Sequence, residues 1–197
     1  MTTRPATPAD LDAIMVLERA SFPTDAWSAA MMREELASAH SWYVVVEEAG
    51  RLVGYAGLRA VRGAQDADIQ TITISGAARG RGRGRALLTT LLDEAVRRDV
   101  REVFLEVRAD NPVAQKLYLS EGFAEVGRRP RYYQPDDVDA IVMQLDLRGW
   151  AHLRGDDGSS TDAGTSEADA AAGADPSAAP ADGTGAPAAS PTGKGWC

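Results

Sequence analysis

Between residues 69 and 96, a β-branched run passes through an arginine–glycine stretch into an amphipathic helix, and this junction constrains the fold more than any other part of the chain. Ile69-Gln70-Thr71-Ile72-Thr73-Ile74 alternates apolar and polar residues, the pattern of a strand. Ala86, Leu87, Leu88, Leu91, Leu92, Ala95 and Val96 recur at helical spacing, which predicts a helix starting near Gly82 to Gly84. Glycines at such a junction let backbone approach a ligand without a Cβ in the way, and the first N–H groups of the helix point at it. The favoured guest is an anion.

Two glycine-phosphate motifs do not fit. A nucleotide-triphosphate loop ends in Gly-Lys-Ser/Thr, whereas Arg85-Ala86 follows the glycines here; a dinucleotide fingerprint needs G-x-G-x-x-G, which this spacing does not supply. Arg79-x-x-Gly82-x-Gly84 resembles instead the Gln/Arg-x-x-Gly-x-Gly/Ala pyrophosphate loop of the GCN5-related N-acetyltransferases (GNAT). Arg81-x-x-Gly84-x-Ala86 fits the same pattern, so two registers remain open. The resemblance strengthens in Leu105-Glu106-Val107-Arg108-x-x-Asn111, Leu117-Tyr118-x-x-x-Gly122-Phe123, Arg131-x-Tyr133 and the closing Asp139-Ala140-Ile141-Val142-Met143. Together these resemble the RimI type, the ribosomal-protein-alanine N-acetyltransferases, over roughly residues 1 to 148.

That resemblance implies the GNAT acyltransferase fold, an α/β (α+β) domain with a mixed, mostly antiparallel sheet flanked by helices. It implies acetyl-CoA as cosubstrate. Its pyrophosphate is assigned to Arg79, Gly80, Arg81, Gly82, Arg83, Gly84 and Arg85, mainly through backbone N–H groups. The pantetheine arm is assigned to Ile72, Thr73 and Ile74 and to Asn111, in a gap between the strand ending near Ile74 and the strand carrying Glu106. By the same resemblance Glu106 is the general base, Tyr118 the general acid, and Phe22, Trp27, Arg131, Tyr132 and Tyr133 flank the acceptor groove. The chain departs from the pattern at Phe22-Pro23-Thr24-Asp25-Ala26-Trp27, where relatives have a shorter Phe-Pro-Trp spacing.

Read without the family, these residues keep plainer alternatives. Val103, Leu105 and Val107 share one strand face and Glu106 projects from the other with Phe104 and Arg108, which also describes an ordinary solvated carboxylate. Tyr118, one turn after Ala114, equally suits core packing, and Phe22 with Trp27 equally suits a staple between two helices.

The remaining elements follow from caps and turns. Thr7-Pro8-Ala9-Asp10 opens a helix to about Ala20, and Ser28 caps another to about Ser38. Trp42 to Glu48, Arg51 to Val61 and Asp66 to Ile74 predict an antiparallel meander with Ala49-Gly50 as its first turn. A strand over Glu102 to Arg108 precedes a short helix capped by Asn111 with Pro112 as its first residue. Phe123 to Tyr133 and Val138 to Leu147 close the sheet.

Composition splits the chain. Residues 1–150 form the expected domain; residues 151–197 are expected to be a disordered tail. From Gly155 onward there is no Leu, Ile, Val, Phe or Met, so nothing opposes chain entropy. That stretch holds seven acidic residues and one lysine, and so carries most of the formal net charge of −8. No signal-peptide pattern or long apolar span is present, and a cytoplasmic, monomeric protein is expected. Cys197 stands alone near no rigid neighbour, and His40 and His152 form no cluster, so no metal is expected.

The expected activity is transfer of acetyl from acetyl-CoA to a protein N-terminus, that of a small-subunit ribosomal protein foremost. An α-amine titrates near about 7.7–8.0 and a lysine near about 10.4, so a weak base suffices for the former. The alternatives are a lysine or small-amine acceptor and, from another class, nucleic-acid binding through the Arg79 to Arg85 repeat. The small net charge outside the tail argues against the last, and no stable nucleic-acid or membrane partner is expected.

Overall fold

The computed structural model describes residues 1–24 and 26–156. Seven strands form one sheet in the order β1-β2-β3-β4-β5-β7-β6: β1 (Thr2–Pro5), β2 (Ser41–Glu48), β3 (Arg51–Arg59), β4 (Asp66–Ile74), β5 (Glu102–Arg108), β6 (Ala124–Tyr133) and β7 (Val138–Asp146). Every neighbouring pair is antiparallel except β4 with β5. The helices are α1 (Leu11–Ser21), α2 (Ala29–Ala37), α3 (Arg83–Arg97), α4 (Pro112–Ser120) and α5 (Leu147–Asp156).

Local chemistry starts most of these elements near where it was expected to, except that Pro8–Asp10 forms a short 3-10 turn and α1 begins only at Leu11. Asp10 Oδ2 accepts from the Thr7 N–H at 2.7 Å, Ser28 Oγ accepts from Met31 N at 3.1 Å, and Asn111 Oδ1 accepts from Ala114 N at 3.1 Å, each satisfying an otherwise unpaired donor near a helix start. Ala49 and Gly50 both take positive φ, the backbone twist a two-residue hairpin needs. Two elements were not anticipated. β1 is a four-residue edge strand without apolar alternation, held by pairing with β2 and by Arg4 bonded to Asp10 at 2.8 Å. α5 crosses residue 150, where the domain was expected to end, and buries Leu147 and Trp150 in the core. The expected tail beyond residue 156 lies outside the described residues.

The sheet separates two cores. On one face Leu87, Leu88, Leu91 and Leu92 of α3 and Tyr118 of α4 pack on Ile69, Ile72, Ile74, Val103, Leu105 and Val107. On the other, Ile14, Met15 and Leu17 of α1 and Met32 of α2 pack with Trp27 on Tyr43, Val45 and Tyr55. The Tyr43 ring lies against Gly57, where an added Cβ would come within 2.5 Å of it. Gly57→Ala is expected to cost about 1–3 kcal/mol through this overpacking, read as a lower midpoint in urea denaturation with an unchanged slope.

Candidate active site

β4 and β5 run parallel and pair only from Asp66↔Glu102 to Ile69↔Leu105. Beyond that point the strands part. Gln70 to Ile74 are buried yet have no strand partner on the β5 side, so their backbone groups on that side need a ligand that can hydrogen-bond like a strand. A pantetheine arm, with its two amides, fits this demand, and Ile72, Thr73 and Ile74 lie on this unpaired stretch of β4.

The loop after β4 fits a pyrophosphate. Gly80 and Gly82 have φ of 76° and 72°, a left-handed backbone that glycine adopts without strain and that turns successive N–H groups toward one concavity. α3 begins at Arg83 with Gly82 as its N-cap, and Ala86 N is the first to bond back, to Gly82 O at 3.0 Å. The N–H groups of Arg83, Gly84 and Arg85 therefore face outward from the helix start.

The four arginines of the loop diverge. Arg79 Nε donates to Ile74 O at 3.0 Å, tying the loop to the end of β4. Arg81 is exposed. Arg85 pairs with Glu121 and donates to Ser120 Oγ at 2.8 Å, joining α3 to α4. The Arg83 side chain turns inward: it is 6% exposed and donates to Ala78 O at 2.7 Å and to Glu48 at 2.6 Å. Only its backbone N–H remains for a phosphate.

Glu106 is the first residue of β5 beyond the last β4 pair, on the face opposite Leu105 and Val107. Its Oε1 forms an ion pair with Arg129 at 3.0 Å, and its buried Oε2 has no hydrogen-bond partner among the described residues. Burial raises its pKa above the usual carboxylate range; the Tyr132 hydroxyl and the Arg129 guanidinium pull it back, and Asp68 adds to the rise. A carboxylate so placed is shielded from solvent and is not an ordinary surface charge.

Tyr118 is 2% exposed and stacks at a tilt on Phe123, with ring centroids 5.8 Å apart. Burial foremost, and the neighbouring Tyr133, raise its pKa, so the hydroxyl stays protonated as a donor. Asn111, besides capping α4, lies at the mouth of the same loop between β5 and α4. Tyr132 and Tyr133 meet edge to face at 5.1 Å; Arg129 lies over the Tyr132 ring at 5.6 Å and Arg108 over Tyr133 at 5.1 Å. Arg131 is exposed at positive φ, its N–H bonded to Asp139 at 2.9 Å.

Phe22 and Trp27 depart from their expected place on a groove wall. They are 3% and 4% exposed, and Trp27 belongs to the core between α1, α2 and the sheet. Its backbone N–H donates to buried Glu18 at 2.7 Å, and the other oxygen of Glu18 accepts from Tyr55. These aromatics support the α1–α2 connection from beneath. The sequence reading missed Arg129, Asp68 and Gln70. Asp68 is half-buried near Glu106 with its pKa raised by burial and by Asp66, against Arg59 and Arg129. The local signal for Arg129, three arginines within Arg128-Arg129-Pro130-Arg131, carried no direction.

Among the described residues no helix is long and apolar enough to cross a membrane, and no group of three or more His, Cys, Asp or Glu side chains is placed to hold a metal.

The acetyltransferase (GNAT) family model matches residues 11–123. The Mycobacterium tuberculosis N-alpha-acetyltransferase RimI is 43% identical over 124 residues, 62% of this chain and 77% of that protein. A Bacillus subtilis protein named as a [ribosomal protein bS18]-alanine N-acetyltransferase is 33% identical over 138 residues, 70% of this chain and 90% of that one. An uncharacterized Mycobacterium leprae protein is 43% identical over 145 residues, and the chain spans 40% of its length. Among solved structures, the Escherichia coli ribosomal-protein-S18-alanine N-acetyltransferase superposes with a TM-score of 0.68 at 30% identity, over 74% of this chain and 93% of that one. By sequence, by fold and by its diverging β4 and β5, the chain belongs to the GNAT acetyltransferase family and is an N-acetyltransferase of the RimI type.

Proposed function

We propose that this enzyme transfers acetyl from acetyl-CoA to the α-amine of protein N-termini, with the N-terminal alanine of a small-subunit ribosomal protein as the foremost acceptor, acting as a cytoplasmic monomer. The observation that carries the reading is the placement of Glu106, a burial-raised carboxylate with one unbonded oxygen where β4 and β5 part. The names of the relatives support the acceptor.

Acetyl-CoA supplies the acetyl group as a thioester. Glu106 takes a proton from the acceptor nitrogen as the N–C bond forms, and Tyr118 offers its O–H to the sulfur as the C–S bond breaks. The glycine loop and the α3 N-terminus hold the diphosphate; the unpaired edge of β4 holds the arm. An α-amine, titrating near about 8, needs only modest help to lose its proton, which matches a carboxylate base better than a lysine ε-amine would.

The test is thiol release with acetyl-CoA and short peptides beginning Ala, Ser, Gly, Met or Asp, beside an N-terminally blocked peptide containing lysine. Turnover confined to free N-termini, greatest with Ala, is the expected result. Turnover of the blocked peptide would overturn the Nα reading.

A further inference from the structure

We infer that Gln70 reads the carbonyl oxygen of the acceptor's first residue while Glu106 receives its amine, so that the two side chains together recognise an α-amino amide and not an isolated amine. This rests on the Nα reading above and goes beyond it by naming what excludes a side-chain amine.

Gln70 Nε2, a donor, and Glu106 Oε2, an acceptor, are buried on the α1–α2 face of the sheet without a hydrogen-bond partner among the described residues. They belong to equivalent positions. Ile69 and Leu105 are the last paired residues of β4 and β5, and Gln70 and Glu106 are the next residue on each strand. Parallel neighbours lie about 4.8 Å apart where they pair, so the two side chains start side by side and flank the opening.

Gln70 reaches this face through an irregularity. The β3–β4 register slips between Gly57↔Thr71 and Leu58↔Ile69, leaving Gln70 without a partner on β3, as in a β-bulge. Ile69 packs in the core against α3, whereas Gln70 is met on the other face by Tyr43, whose hydroxyl donates to Gln70 Oε1 at 3.0 Å. Tyr43 is itself set by its contact with Gly57. Gln70, 3% exposed, thus has its oxygen occupied and its NH2 group left over. An unbonded buried donor is unfavourable, and a donor held so firmly calls for an acceptor from outside the fold.

An N-terminal residue answers both atoms. Its amine nitrogen and carbonyl oxygen are separated by Cα and the carbonyl carbon and lie about 3–3.5 Å apart, so one group donates to Glu106 while the other accepts from Gln70. A lysine side chain presents an amine with no carbonyl near it, and its binding would leave Gln70 Nε2 unbonded. A site built to bond a group rejects the analogue that lacks it.

The experiment uses the full chain and two acceptors: an alanyl peptide, and the same peptide with its first amide replaced by an (E)-alkene, which keeps the shape and removes the oxygen. For the unaltered enzyme kcat/KM, referred to the unprotonated amine because loss of the carbonyl raises the amine's pKa, is expected to be about 10-fold or more lower on the alkene. In Gln70→Met the two acceptors should converge to within about 2-fold with CoA affinity little changed, while the melting temperature falls because the buried Tyr43 hydroxyl loses its acceptor. Gln70→Leu, which also lacks a donor, should converge likewise and serves if the methionine variant folds poorly. Equal rates of the unaltered enzyme on both peptides would sink the role of Gln70 while leaving the Nα reading intact; so would a difference that persists in both variants. Modification of a blocked lysine peptide in preference to either would sink both.

Discussion

Glu106→Gln is expected to lower kcat about 100-fold or more at pH 7 while leaving acetyl-CoA affinity within about 2-fold, because the glycine loop and the β4 edge do not depend on this carboxylate. The pH profile separates a base from a structural residue. Burial raises the Glu106 pKa, and the charged form is the active one, so activity falls as pH drops through that raised value. In the variant this step disappears from the acid limb of kcat/KM, leaving the ionisation of the acceptor amine near about 8. The linkage to stability runs the other way. A carboxyl whose pKa is raised on folding is easiest to bury below its unfolded pKa, and its ionisation opposes folding as pH rises through the folded value. Glu106→Gln should therefore melt no lower than the parent at pH 8, since Arg129, the partner it abandons, is partly exposed. Steady-state kinetics, CoA titration and thermal melts at pH 5 and 8 check all three. A large loss of CoA affinity, or a sharp loss of stability at pH 8, would make Glu106 structural.

Tyr118→Phe is expected to reduce kcat about 100-fold with KM for the acceptor nearly unchanged. The substitution keeps the ring and its packing on Phe123, so what is lost is the hydroxyl alone. Burial holds that hydroxyl protonated well above neutrality. In water a phenol so weak would be a poor proton donor to a thiolate. A sulfur lodged beside it loses solvation too, so the relative proton affinities are those of the pocket and not of water. Two results follow. No alkaline limb below about pH 10 should come from Tyr118, and the variant should regain rate preferentially with an acetyl donor whose thiol is a better leaving group. Equal rates of Tyr118→Phe and parent with both donors would leave Tyr118 as a core residue.

Much of the fold was legible because its determinants are local. Thr7, Ser28, Asn111 and Pro112 mark helix starts by chemistry that acts within four residues, and the β4 pattern and the α3 periodicity each declare one element. The elements missed are those that exist through distant partners. Thr2–Pro5 is a strand because β2 offers an edge, and Leu147–Asp156 is helix whose Leu147 and Trp150 gain a place in the α3-side core. Side-chain destinations escaped for a related reason. Strand alternation does not foretell Arg129, since β6 slips register against β7 between Glu125 and Gly127 and again between Arg129 and Tyr133. Gln70 is hidden in the same way by the irregularity in β4.

The sequence by itself determined the glycine-rich strand-to-helix junction, the order of the strands and helices from α1 to β7 and the position of Glu106 relative to the core face of its strand, because each depends on spacing along a few residues. Only the tertiary structure decided which arginine does what. In a run of alternating Arg and Gly, Arg79, Arg81, Arg83 and Arg85 are equivalent, and no local rule tells them apart. Glu48 draws Arg83 inward from 35 residues away, Glu121 draws Arg85 to α4 from 36 residues away, and the end of β4 takes Arg79. The same holds for the acceptor side. Phe22 and Trp27 sank into the core because α1 and α2 had an apolar sheet face to cover, while Arg129 and Asp68 met Glu106 where two strands cease to pair. Such meetings follow from the geometry of the sheet, which no window of sequence contains.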